Sequence, residues 1–454
     1  MGGKTTGRET VGRKSFFVGA VVVALVVALT VGITVARSQE GASLPTLGPS
    51  ELLAKVAQEA PKTTTVNGDV TWINDLLGSA SVQLPGGEGG LASLLQSGSG
   101  RFWYQEGRLR FESQGSSGDI VAVVSGDSAW VYSSESGTAT EYTLPTRPTG
   151  RADAEDGAIG DATAAIDLPQ KIQNMVDMLV PDATLTVTTA TVAGRAVYVL
   201  TMVPSATNTV VGSVQAAFDS TTFVPLRAQV FAKGDTKPVL EAGFTKVSYD
   251  EVSAATFDFT PPADAKVEHS TLTMSAGMLY KMMGAVGHEP DERSPAGDPG
   301  SDAARRDAEL TLDEATARAG FTLAAPVAPA LPFKSAAVID ASMMDALSVG
   351  ATGDAPAPAD VSGAPLVVLR YGQGFGTVVV FETRIDDAQW AQATAALAQV
   401  PLLGAPSAFG GHQAYQLGTR LGSLVAWRQG DVVVLVGGSV SQADLEAFAS
   451  SIHE

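Results

Sequence analysis

The chain has 454 residues, a net charge of −19, four histidines and no cysteine. The acidic balance argues against nucleic acid as a partner and against broad docking onto anionic lipid, since both need a basic surface. The missing thiols exclude disulfides, cysteine nucleophiles, thiolate metal sites and a lipidated N-terminal cysteine. A hydrophobic share of 45 % is that of a globular chain, long enough for two or three domains.

Lys4, Arg8, Arg13 and Lys14 precede an uncharged run, "FFVGAVVVALVVALTVGITVA", at 16–36. As a helix it rises ~30 Å, the thickness of a bilayer core. The pattern predicts a cytoplasmic basic segment at 1–15, a transmembrane anchor at 16–36 and an extracytoplasmic remainder. A cleaved signal ending at Thr34-Val35-Ala36, which would leave a secreted protein, is the alternative. Residues 37–49 read as a stalk. "SELLAKVAQEA" then reads as a helix, with Ser50 as its N-cap and Leu52, Leu53, Val56 and Ala60 as its apolar stripe.

Strands are predicted at 64–74, 101–105, 108–113, 119–125, 128–133, 138–144, 184–190, 195–203, 212–219, 226–232, 239–249 and 256–260. Short loops separate most of them, which favours an antiparallel meander. "RFWYQEGRLRFES" predicts a hairpin turning at Glu106-Gly107. Tyr104 then faces Leu109 and Phe102 faces Phe111 on one side, while Trp103 faces Arg110 and Arg101 faces Glu112 on the other. At "TFDFTPPADAKV", 256–267, Phe257 and Phe259 share a face, and Pro261 and Pro262 are expected to end the sheet.

Two stretches interrupt the meander. The glycine-rich segment 76–100 carries Leu76, Leu77, Leu84, Leu91, Leu94 and Leu95, which reads as a packed loop or an apolar flap. The segment 166–180 predicts an amphipathic lid helix with Leu168, Ile172, Met175, Val176 and Leu179 on one face. Residues 270–309 combine a Met-rich segment with a charged Pro/Gly linker. A small α+β domain follows at 310–454. Thr311 caps its first helix, strands lie near 335–341, 365–371, 375–382, 413–418, 422–428 and 431–437, and helices lie at 386–399 and 441–453.

No nucleophile elbow, phosphate-binding loop or His-carboxylate metal cluster occurs, so the reading is a binding protein without cofactor or metal rather than an enzyme. What remains is shape. A sheet that curls without closing has an apolar face suited to a long hydrophobic ligand. The candidate lining residues on the first strands are Trp72, Phe102, Tyr104, Phe111, Trp130 and Tyr132. On the later strands they are Val197, Val199, Phe218, Val230 and Phe244.

"VLEAGFTKVSYDEVSAATFDFTPPADAKV" resembles the closing strands of LolA-like proteins, particularly membrane-anchored or exported actinobacterial forms. "LLAKVAQ", "DSAWVYSSESGTATEY" and "VAGRAVYVLTMVP" extend the resemblance over 50–269, about half of the chain. It implies an α+β fold: an unclosed antiparallel β-barrel of about 11 strands with a helical lid. It also implies an acyl lipid or lipoprotein as ligand, or, as in the RseB/MucB group, an anti-sigma factor as partner. That group has a small second domain, which 310–454 resembles. A retained anchor departs from the soluble lipoprotein shuttles, and no arginine matches their latch. The expectation is therefore a membrane-tethered lipid- or lipoprotein-binding protein. The alternative is a regulatory module bound to an anti-sigma factor or a transporter.

Overall fold

The computed structural model describes residues 44–78, 96–115, 118–126, 128–143, 183–271, 310–326, 330–339, 364–397, 403 and 405–452. The expected anchor at 16–36, most of the leucine-bearing loop, the lid helix at 166–180 with Leu168, Ile172, Met175, Val176 and Leu179, and all but the first two residues of the Met-rich segment and linker at 270–309 lie outside them. No helix among the described residues is long and apolar enough to cross a membrane.

The first helix, α1 (Pro49–Glu59), starts two residues earlier than predicted, with Gly48 rather than Ser50 at its N-cap. Pro49 takes the first helical position, where its fixed φ suits the helix and its missing N–H costs nothing. The helix buries Leu52, Leu53 and Val56 against Tyr198, Leu200, Phe218 and Phe223.

Twelve strands follow: β1 (Thr65–Asn74), β2 (Gly98–Gln105), β3 (Arg108–Gly115), β4 (Gly118–Ser125), β5 (Ser128–Ser133), β6 (Thr138–Thr143), β7 (Ala183–Val192), β8 (Arg195–Pro204), β9 (Val211–Asp219), β10 (Pro225–Ala232), β11 (Leu240–Ser248) and β12 (Lys266–Thr271). They form one sheet in the order β12-β6-β5-β4-β3-β2-β1-β11-β10-β9-β8-β7. The end strands β12 and β7 do not pair with each other, so the sheet is unclosed. Every pairing is antiparallel except β12 with β6. The predicted hairpin register is observed: Phe102 opposes Phe111 and Tyr104 opposes Leu109. Its turn is built on Glu106 at φ 49° and Gly107 at φ 82°, the left-handed pair that a tight hairpin of this twist requires.

The predicted strand at 256–260 is absent. Ala254–Phe257 is a turn of 3-10 helix, and the chain from Asp250 to Pro262 crosses one face of β3, β4 and β5 as a strap. Arg110 Nη1 donates to the carbonyls of Thr256 and Asp258 at 3.2 and 3.1 Å, and the Arg108 guanidinium lies 4.9 Å from the Phe257 ring centroid. Nor do Pro261 and Pro262 end the sheet. Beyond them β12 adds to the far edge, parallel to β6, giving a twelfth strand where about 11 were expected.

The second sheet contains β13 (Phe333–Ile339), β14 (Leu366–Tyr371), β15 (Val378–Arg384), β16 (Ser407–Phe409), β17 (His412–Thr419), β18 (Gly422–Gln429) and β19 (Val432–Gly438). Their order is β13-β14-β15-β19-β18-β17-β16. Helices α2 (Leu312–Ala319), α3 (Asp387–Leu397) and α4 (Gln442–Ala449) accompany it. Thr311 caps α2 in a reciprocal capping box with Glu314. Ala315 and Ala319 of α2 join Leu445 and Phe448 of α4 in a core over Leu369, Val380, Val434 and Trp427.

Candidate functional site

One apolar cluster fills the first sheet around β1, β2 and β3. Phe102, Phe111, Val197, Val199 and Phe244 are buried in it, and Trp72 and Tyr104 pack on its margin, partly exposed. Phe102 meets Phe244 edge-on at 5.9 Å, and Trp72 lies 5.9 Å from Phe111. Glycines make room for these rings. Gly98 is the cross-strand partner of Trp72, and a Cβ there would lie 2.4 Å from the indole. A Cβ on Gly100 would lie 3.2 Å from the Phe111 ring. Trp72 and Phe111 thus each rest on a glycine of β2, which lets aromatic area pack onto backbone.

The remaining candidates go elsewhere. Trp130 and Tyr132 alternate with buried Val131, so they point to the opposite face, where Phe259 of the strap packs on them at 5.5 and 6.3 Å. Phe218 opposes Tyr198 and lies beneath α1, on the other side of the sheet from Val197 and Val199. Val230 is partly exposed on β10 and belongs to none of these clusters.

A shallow, open cleft of about 260 Å³, which the sequence did not mark, lies where the two sheets meet. Leu76, just past the end of β1, forms one wall, and Leu417, Leu421 and Leu424 of the β17–β18 hairpin form the other. Leu417 and Leu424 are cross-strand partners, so they present one apolar face. Thr419, Ser423, Gly422 and Gly438 complete the lining, which among the described residues contains no charged side chain.

The junction is held by directed bonds. The Arg420 N–H donates to the Leu76 carbonyl at 2.9 Å, and its guanidinium pairs with the carboxylates of Asp75 and, at 2.7 Å, Asp235. Thr209 bridges Val440 as an isolated β-pair, and the Thr209 hydroxyl donates to the Ser439 carbonyl at 2.8 Å. The Asn208 amide donates to the Gly376 carbonyl at 3.2 Å, at a spot where a Cβ on Gly376 would strike the Asn208 side chain.

Three buried carboxylates are the candidate chemical groups. Burial pushes the Asp219 carboxyl up, but Arg195 and the N–H groups of Thr222 and Thr221 outweigh it and hold the pKa below the usual range. Asp219 accepts from Arg195, Tyr249, Thr221 and Thr222, so no lone pair is left for a substrate proton. Glu241 is raised by burial, with opposition from the Gln229 amide and the Arg227 charge. Glu382, fully buried on β15, is raised to about 7 by burial against a single opposing bond from the Ala324 N–H. Its second oxygen has no partner. None of the three faces the cleft, and no group of three metal-ligating side chains occurs among the described residues.

The chain matches no protein-family model and no curated protein. In structure it is similar to MucB in complex with MucA(peri), at 13 % identity and a TM-score of 0.37, covering 89 % of this chain and 98 % of that one. It is also similar to an uncharacterized conserved protein from Thermus thermophilus, at 12 % identity and a TM-score of 0.28, over 48 % of this chain and 98 % of that one. A LolA superfamily protein from Nitrosomonas europaea aligns at 12 % identity and a TM-score of 0.18, over 47 % of this chain and 99 % of that one. At these identities and TM-scores the likeness is a partial one of fold.

Proposed function

We propose that the chain is a membrane-tethered, extracytoplasmic binding protein that holds an acyl chain of a lipid or lipoprotein. One observation carries this reading: β1 joins a glycine-floored aromatic core at Trp72 to an uncharged, leucine-walled cleft at Leu76. The leucine walls offer an aliphatic chain dispersion and desolvation, beside the Asp75–Arg420–Asp235 ion pairs. At ~0.8 kcal/mol per buried methylene, about six methylenes supply ~5 kcal/mol. The run at 16–36 serves as the tether, and the helix expected over 166–180 serves as the lid.

The test is native mass spectrometry with lipid extraction on the full chain, purified from an envelope of the native type. A co-purifying acylated mass supports the reading. A clean apo mass, with no uptake of added lipid, overturns it. That outcome moves the function to the second reading, a regulatory module for an anti-sigma factor or transporter. The second sheet, docked through Thr209–Val440 and Arg420, supplies the surface for that role.

A further inference from the structure

The two sheets meet along two seams that differ in kind. The first is buried and runs backbone on backbone. The Val210 N–H donates to the Ser439 carbonyl at 2.9 Å, and the Val210 carbonyl accepts from the Lys233 N–H at 2.7 Å. One residue is thus bonded both to the chain just past β19 and to the chain just past β10. Thr209 and Val440 pair beside it and are 3 % and 1 % exposed. The Ser423 hydroxyl of β18 donates to the Val440 carbonyl at 2.9 Å, which carries the path into the second sheet.

The second seam is Arg420, in the turn of the β17–β18 hairpin. It makes one backbone bond, to Leu76, and its guanidinium grips Asp75 and Asp235. These three side chains are 30 %, 42 % and 37 % exposed. Water replaces exposed pairs of this kind at little cost, whereas a buried backbone bond has no such substitute. The leucine cleft spans the interval between the seams. Gly438 adjoins Ser439 of the first, and Leu76, Thr419 and Leu421 adjoin Asp75 and Arg420 of the second.

We propose that the two sheets swing about the Thr209–Val440 bridge as a hinge, and that Arg420 is a clasp whose release admits an aliphatic chain between the leucine walls. In the clasped state the cleft is shallow and open to water, so a chain laid in it keeps one side wet. Moving Arg420 away from Asp75 separates Leu76 from Leu417, Leu421 and Leu424. A chain can then enter between the walls, where its affinity grows with the apolar area it covers. The use made of the opening rests on the acyl-chain reading; the motion itself does not.

The absence of cysteine allows spin labels at chosen pairs of exposed positions in the full chain in its membrane. Thr236→Cys with Gly418→Cys reports the clasp side, and Thr207→Cys with Gln373→Cys reports the hinge side. Arg420→Ala is expected to raise the population with a lengthened clasp-side distance about tenfold and to leave the hinge-side distance unchanged. Photolabelling of 417–424 by a diazirine-bearing long-chain alcohol should rise with it. An unchanged clasp-side distance overturns the proposal. So does lengthening of both pairs, which means undocking rather than hinging. Equal labelling of the parent and Arg420→Ala, with the clasp-side distance changed, overturns the clasp as a gate. No labelling of either, with both distances as expected, leaves the hinge standing and sinks the acyl-chain reading.

Discussion

Glu382 makes the second sheet's stability a function of pH. The carboxyl is fully buried in the core of β15, accepts one hydrogen bond, from the Ala324 N–H at 2.8 Å, and leaves its other oxygen unpaired. Burial raises its pKa from 4.5 to about 7, so the folded protein prefers it neutral. The sign follows. Below pH 4.5 the group is neutral folded and unfolded, and its stability contribution is fully present. As pH climbs through 7 the unfolded state has already ionised, and the fold must bury a charge or keep the proton at a growing cost. Moving the pKa from 4.5 to about 7 corresponds to a loss of about 3 kcal/mol between those pH values. Glu382→Gln keeps the acceptor for Ala324 and removes the titration. Hydrogen exchange over 366–384 and 432–438 should therefore lose protection from pH 4.5 to 7.5 in the parent, once corrected for intrinsic exchange, and much less in Glu382→Gln. Equal pH dependence in both would refute the argument. Tyr371 titrates nowhere near this window: burial first, and then Glu382, push its hydroxyl well above the ordinary tyrosine range.

Three further outcomes are expected. Gly98→Val places a Cβ 2.4 Å from the Trp72 indole, so the ring must leave its bed, costing about 1–3 kcal/mol in chemical unfolding and red-shifting an emission component that a Trp72→Phe background lacks. Arg420→Ala removes two half-exposed ion pairs worth ~0–1 kcal/mol each. It should leave both sheets folded while raising exchange at 235–240 and 417–424, the segments the guanidinium ties together. Thr311→Ala deletes the capping box of α2 and should cost about 1 kcal/mol, read as faster exchange in 312–319 with no change in the first sheet.

Local alternation was enough to read the β2–β3 hairpin, with its turn at Glu106-Gly107 and its opposed phenylalanines, because strand period and turn chemistry are properties of neighbouring residues. The same signal misread 256–260. Alternating Phe257 and Phe259 do face a common surface, but that surface is another part of the sheet, and their backbone is held by Arg110 rather than by a neighbouring strand. Periodicity says which side chains seek burial and is silent on what the backbone pairs with. The candidate lining set divided for a related reason. Composition selected large apolar residues, whereas the face each occupies depends on register, which sent Phe218 beneath α1 and Trp130 beneath the strap. The cleft needed the tertiary structure altogether. Leu76 and Leu417 are more than three hundred positions apart, and neither is unusual where it stands. Their meeting follows from the docking of two sheets through Arg420 and Thr209, and contacts at that separation leave no periodic trace in the chain.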